Sequence, residues 1–92
     1  MNFEWDEQKN IKNQEKHGIR FEDAIVVFNY PMFKEIDDRF DYGEVRLIGI
    51  GKKMTVYFTI VYTEREERIR IISARRSHKK ERLKYDHYYS QS

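Results

Sequence analysis

The chain has 92 residues, 18 of them basic and 16 acidic, and it contains no cysteine. That length supports a single hydrophobic core, so residues 1–92 are read as one domain, and the missing thiols exclude disulfide frameworks, Cys-based metal sites and a cysteine nucleophile. The longest near-apolar run, Met54 to Tyr62, is interrupted by threonines and is too short for a membrane span, while Glu4, Asp6 and Glu7 stand where a secretion signal would be apolar; the expectation is a cytoplasmic protein with no membrane partner.

Residues 2–5, NFEW, alternate and predict a short strand. Asp6 has the chemistry of an N-cap, with Glu7 favourably placed in the first turn. The helix it opens is expected to reach His17 and to stop at Gly18. Ile11 is almost its only aliphatic anchor, so the helix belongs on the surface or presents a polar face to something. A second short helix is predicted over FEDAIVVFNY, residues 21–30, where Phe21, Ala24, Ile25 and Phe28 follow the i, i+3, i+4, i+7 spacing of a buried stripe and Pro31 ends the run. Residues 34–44 are acidic and aperiodic, and read as a loop with room for a short edge strand. Three strands follow, at 44–52, 54–64 and 68–75, joined by short turns at Lys52–Lys53 and at 65–67 that favour an antiparallel meander. The middle one is apolar or aromatic on both faces and belongs at the centre of the sheet. Ser77 can cap a last helix from His78 to about Tyr89, on which His78, Arg82, Tyr85 and Tyr89 share a face. The order β-α-α-β-β-β-α, with helices segregated from an antiparallel sheet, is that of an α+β domain.

Charge is concentrated in one place. Residues 68–84 carry eight bases against the single acid Glu81, a net +7, which leaves −5 for the rest of a chain whose total is +2. A run so one-sided is the footprint of a face that holds a polyanion; the plainer alternative is a solvated helix face. Other chemistries find no support. His17, His78 and His87 lack metal-ligand spacing, Gly49-x-Gly51 lies inside a strand pattern without a following helix, and there is no serine nucleophile signature.

Three stretches together carry a family resemblance: WDEQKNIKNQEKHGIRFEDA (5–24), YTER (62–65) and RIRIISARRSHKKERLKY (68–85). The spacing of Trp5-Asp6-Glu7, Lys9, Asn13, Lys16-His17-Gly18, Phe21 and Ala24 resembles the BrnT toxins, as does Ile71-Ile72-Ser73-Ala74-Arg75 followed by Glu81-Arg82 and Tyr85. The likeness covers nearly the whole chain. It implies a RelE-like fold and a ribonuclease toxin of a type II toxin–antitoxin pair, which cuts RNA without a metal or other cofactor and arrests translation. It also implies a BrnA-like antitoxin with a ribbon-helix-helix DNA-binding domain, operator DNA being bound only through the toxin–antitoxin complex.

RNA brings its own nucleophile, the 2′-OH. A metal-free nuclease must supply a base for that proton, an acid for the departing 5′-oxygen, and cations for the crowded phosphate. Arg75 and Arg76 are the candidates for the phosphate, because a guanidinium stays charged and grips two oxygens at once. Strand residues alternate, so one of the two lines the site while the other faces away; an ion pair with the acidic loop at 37–44 is the competing role for either. Lys9, Asn13, Lys16 and His17 form one polar face of the first helix. There His17 can serve as acid or base, or cap the last carbonyls before Gly18, and Asn13 can simply bond to neighbouring backbone. Glu64 can act as a base, or pair with Arg65 or Arg68 and only organise the turn. Lys9, Lys16, Arg65, Lys79, Lys80 and Arg82 complete the expected substrate contacts. Tyr62 reads as a core tyrosine rather than a stacking platform, and Tyr85 as a packing residue. Two rival functions share the basic face: a nucleic-acid-binding module without catalysis, and an interaction protein whose basic helix docks an acidic partner.

Overall fold

The computed structural model describes residues 2–90. Its strands are β1 (Asn2–Glu4), β2 (Met32–Asp37), β3 (Arg46–Lys53), β4 (Val56–Arg65) and β5 (Arg68–Arg76), and its helices are α1 (Glu7–His17), α2 (Phe21–Ala24) and α3 (Lys79–Tyr89), with a 3-10 turn over Ile25–Asn29. One sheet runs in the order β1-β5-β4-β3-β2, with β4 in the middle as its two-sided apolar pattern requires. The α+β class and the β3-β4-β5 meander agree with the sequence pattern. Two features differ from it. β2 is a six-residue edge strand in a stretch read mainly as loop, paired antiparallel to β3. β1 runs parallel to β5, so the sheet is mixed rather than antiparallel. No tight turn joins β1 to β5, so hairpin geometry does not fix its direction. The β3–β4 turn also falls later than expected, at Met54–Thr55, with Met54 at φ 57°.

The core lies on one face of the sheet, where Ile60, Tyr62, Ile69, Ile71 and Ala74 meet Phe21, Ala24 and Val27. The expected stripe through Ile25 and Phe28 is replaced by one through Ala24 and Val27; both of these are fully buried, whereas Ile25 and Phe28 are only partly so. The reason is local. Residues Ile25–Asn29 wind as a 3-10 turn, whose period of three aligns residues three apart, so Val27 follows Ala24. The turn packs close to β3: a Cβ on Gly51 would lie 2.7 Å from Val27 Cβ. Gly51→Ala is therefore expected to cost about 1–3 kcal/mol of stability, the usual range for overpacking, measurable by urea denaturation.

Helix α1 is held by asparagines instead of by Ile11, which is 45% exposed. Asp6 caps it, accepting from Gln8 N–H at 2.8 Å, as the sequence suggests. The buried Asn13 amide donates to the carbonyls of Ile19 (2.9 Å) and Ala74 (2.8 Å), and its oxygen accepts from Ala74 N–H (3.1 Å). It thus acts as a one-residue strand on the edge of β5 beyond the end of β1. Asn10, also buried, accepts from Phe21 N–H and donates to Glu22.

A bulge decides which way the end of β5 points. Tyr62 pairs with Ile71 but Val61 with Ser73, leaving Ile72 as an extra residue. Simple alternation would put Ile69, Ile71, Ser73 and Arg75 on one side, or Arg70, Ile72, Ala74 and Arg76 on the other. The bulge instead joins Ile69 and Ile71 to Ala74 and Arg76 on the core face, opposite Ile60 and Phe58, and turns Ser73 and Arg75 to the other face beside Val61 and Thr59.

That other face carries α3. Ser77 is not its N-cap: it is buried and its hydroxyl bonds to that of Thr59 at 2.7 Å, while His78 takes the cap position. The helix buries no residue of its own. Tyrosines tether it: from the helix, Tyr85 hydroxyl donates to Pro31 carbonyl (3.3 Å) and Tyr89 hydroxyl to Met32 carbonyl (2.8 Å), and from β4, Tyr57 hydroxyl donates to Asp86 (2.7 Å). Tyr85 packs on Tyr57 as expected, and Tyr62 is fully buried in the core.

Candidate nucleic-acid interface

Three elements converge at the C-terminal end of β5: the strand itself with Arg75 and Arg76, the first turn of α3 with Lys79 and Lys80, and the last turn of α1 with Lys16 and His17. Asn13, one turn before His17, bonds to Ala74, next to Arg75, and so docks the last turn of α1 at this end of the strand. His17 is partly buried, and its pKa is lowered first by that burial, then by the positive charges of Lys16 and Arg75. The imidazole is therefore neutral at pH 7 and able to accept a proton. It does not cap α1; Gly18 does so, with φ 70° and its N–H bonded to Gln14 carbonyl at 2.8 Å.

Arg75 makes a two-pronged pair with Glu81 at 2.7 and 2.8 Å. The competing role for an arginine here, a pair with the acidic loop, is not what Arg75 adopts; Asp37 and Glu44 are engaged by Arg39, Arg46 and Arg65 instead. The same carboxylate also accepts from His78 N–H at 2.7 Å, closing the start of α3. Burial would raise the pKa of Glu81, but the Arg75 guanidinium and the His78 N–H outweigh it and hold the group at about 2. Glu81 is the acid that sequence reasoning passed over as a site residue, and the signal for it was its isolation among eight bases.

A carboxyl lowered from 4.5 to about 2 on folding stabilises the fold fully above pH 4.5, and that contribution is lost as pH falls towards 2. The group is mostly buried, with 18% of its side chain exposed, so about 2–3 kcal/mol is at stake. Urea denaturation across this range is expected to show the gap between the wild type and Glu81→Gln closing as pH falls. A gap that stays constant to pH 2 refutes the linkage.

The remaining expected residues are divided. Arg76, Lys79 and Lys80 are exposed around this end. Arg82 is also exposed and bonds to Ser77 carbonyl at 2.9 Å, bracing the β5–α3 joint. Lys9 sits two turns before His17 on α1, exposed and about 12 Å away along the helix. Glu64 and Arg65 are not brought to this end. Glu64 lies opposite Ile69 while Thr59 lies opposite Arg75, so five residues of extended strand, about 17 Å, separate them. There Glu64 faces Lys34 at 3.9 Å, and Arg65 pairs with Glu44 at 3.0 Å. A cleft of about 570 Å³ at that far end is lined by Asn2, Glu64, Glu66, Glu67, Arg68 and Ile69; three carboxylates against one guanidinium give it the wrong sign for a phosphate chain.

An α+β domain with a cationic strand–helix end is the class of protein that fold and charge define. Residues 5–81 match the family described as the ribonuclease toxin BrnT of type II toxin–antitoxin systems, and the chain belongs to that family. Membership implies an RNA target and an antitoxin partner. No curated protein matches the chain. Among the described residues, no helix is long and apolar enough to cross a membrane.

Proposed function

We propose that the 92-residue chain acts as one toxin domain, a cytoplasmic, metal-independent endoribonuclease that inhibits translation and is neutralised by a BrnA-like antitoxin. Its ribbon-helix-helix domain would carry the pair to operator DNA. The observation that carries this reading is the convergence of a neutral imidazole, a two-pronged guanidinium and a helix start at one end of β5. Neutral His17 takes the proton of the 2′-OH as that oxygen attacks the adjacent phosphorus. Arg75 holds the non-bridging oxygens as negative charge builds on them. Arg76, Lys16, Lys79 and Lys80 steady the flanking phosphates, and the 5′-oxygen leaves with a proton from the cationic cluster. The product is a 2′,3′-cyclic phosphate and a free 5′-hydroxyl. Lys9 extends the same face along α1. Glu64 and Arg65, at the far end of β4, would meet only a distant part of the chain.

One observation favours a second reading. Arg75 is already charge-paired with Glu81, which suits a face that binds polyanions through its lysines and performs no chemistry. Purified protein incubated with RNA in EDTA separates the two. Cleavage leaving cyclic phosphate ends is expected, whereas salt-sensitive binding without cleavage supports the non-catalytic module. Expression of the chain alone is expected to arrest growth, and co-expression of its antitoxin to relieve it.

A further inference from the structure

One cross-strand row on the α3 face of the sheet lies beyond the cluster at the end of β5. Asp37, Arg46, Thr63, Arg70 and Glu4 are neighbours from β2 to β1, since Asp37 lies opposite Arg46, Thr63 opposite Arg70 and Glu4 opposite Arg70, and Arg46 precedes the Leu47–Tyr62 pair. At its centre Thr63 is 2% exposed, and its hydroxyl is buried with no hydrogen-bond partner. Arg46 Nε is likewise buried and unbonded; Glu44 approaches it only to 3.6 Å, and the guanidinium stacks 3.9 Å above the ring of Tyr42. Arg70 is partly buried, and its side chain has no ion pair or hydrogen bond among the described residues. The acids on the row are engaged elsewhere, Asp37 by Arg39 at 2.7 Å and Glu4 by Arg68 at 3.9 Å.

A buried hydroxyl without a partner is costly, and native proteins keep few of them. Here the groups short of hydrogen bonds are the Thr63 hydroxyl, the Nε–H of Arg46, which Glu44 neutralises without bonding, and the unpaired guanidinium of Arg70, all three able to donate and all on one face of the sheet. That set matches an anion with several acceptor oxygens. We infer that Arg46, Thr63 and Arg70 form a second phosphate subsite, which takes a phosphodiester of the bound RNA remote from the one held at Arg75. The inference rests on the proposed RNA-cleaving reading. Thr63 and Thr59 are four residues apart on β4, so the two subsites are about 14 Å apart along the strand. Between them Val61 and Ser73 form the floor on which the intervening nucleotides would lie. Thr63 Oγ1 and Arg46 Nε are buried in the free protein, so the phosphate meets Arg70, directly opposite Thr63, first. The row is thus a substrate-length gauge: a short fragment reaches only the Arg75 end.

The test uses uncleavable 2′-O-methyl oligoribonucleotides of increasing length at fixed salt, with the wild type, Arg70→Gln and Thr63→Val. Wild-type affinity is expected to step up once an oligomer spans both subsites. Arg70→Gln removes about tenfold of that step, the value of a hydrogen bond to a charged group. Thr63→Val also reduces the step while raising the melting temperature, because it deletes a hydroxyl that is unsatisfied in the free protein. That combination cannot come from misfolding. Variants that follow the wild-type length dependence overturn the subsite and leave the nuclease reading intact. Failure of the wild type to bind any oligomer overturns the RNA reading instead. In that case a melting-temperature rise with inorganic phosphate that Arg70→Gln abolishes upholds the row as an anion site, and no such rise overturns it.

Discussion

Arg75→Ala is expected to slow RNA cleavage by about 10²–10³-fold, the loss found when one preorganised donor to a developing oxyanion is removed. The structure distinguishes this arginine from its neighbour. The Ile72 bulge turns Arg75 to the face where α3 begins, and Glu81 fixes its guanidinium in a planar, two-pronged pose. Arg76 lies on the opposite face, exposed. Arg76→Ala is therefore expected to cost about tenfold, one phosphate contact, and to act mainly on KM. Arg75→Lys keeps the charge but not the two-pronged grip, so its rate should fall between alanine and wild type. Glu81→Gln keeps an oxygen for His78 N–H while releasing Arg75 from its carboxylate, and is expected to bind RNA more tightly. Single-turnover rates in EDTA at fixed salt, with circular dichroism to confirm folding, decide the matter. Wild-type cleavage by Arg75→Ala would falsify the assignment of this residue.

Asn13→Ala is expected to destabilise the fold by about 3 kcal/mol. Its amide satisfies three buried backbone groups: the carbonyls of Ile19 and Ala74 and the N–H of Ala74. Each group left without a partner costs about 1–3 kcal/mol, partly relieved where water can enter. Asn13→Asp should be little better, because a carboxylate accepts from Ala74 N–H but faces both carbonyls with no donor. Ile11→Ala, on the same helix but 45% exposed, is expected to stay within about 0.5 kcal/mol. Urea denaturation of the three variants tests the comparison. If Ile11→Ala proves the costlier, α1 is docked by its apolar residue and not by Asn13. The loss in Asn13→Ala should also reach the chemistry, since Asn13 joins α1, with His17 at its end, to β5.

Periodicity and punctuation were enough to find most elements. Asp6 and Gly18 bracket α1 as capping chemistry dictates, and the apolar run around Ile60 marks the central strand. The misreadings share a cause. Pattern rules assume regular geometry, and this chain departs from it at the 3-10 turn over Ile25–Asn29 and at the bulge at Ile72. A bulge adds one residue and exchanges the faces of everything beyond it, so alternation could not tell Arg75 from Arg76. The polar character of α1 was visible, but its meaning was not: buried asparagines bonding to backbone far along the chain leave no local signature.

The sequence alone determined that this is an α+β chain with its positive charge gathered behind one strand, because composition, caps and hydrophobic period are local properties. It also carried the family, through motifs spread over nearly the whole chain. Only the tertiary structure decided which charged groups meet. Arg75 and Glu81 are six residues apart and bond directly, Asn13 docks the end of α1 that carries His17 beside Ala74, and Glu64, a candidate base in the sequence, ends about 17 Å away. Contacts between side chains depend on strand register and helix docking, and those are set by the whole packed core at once.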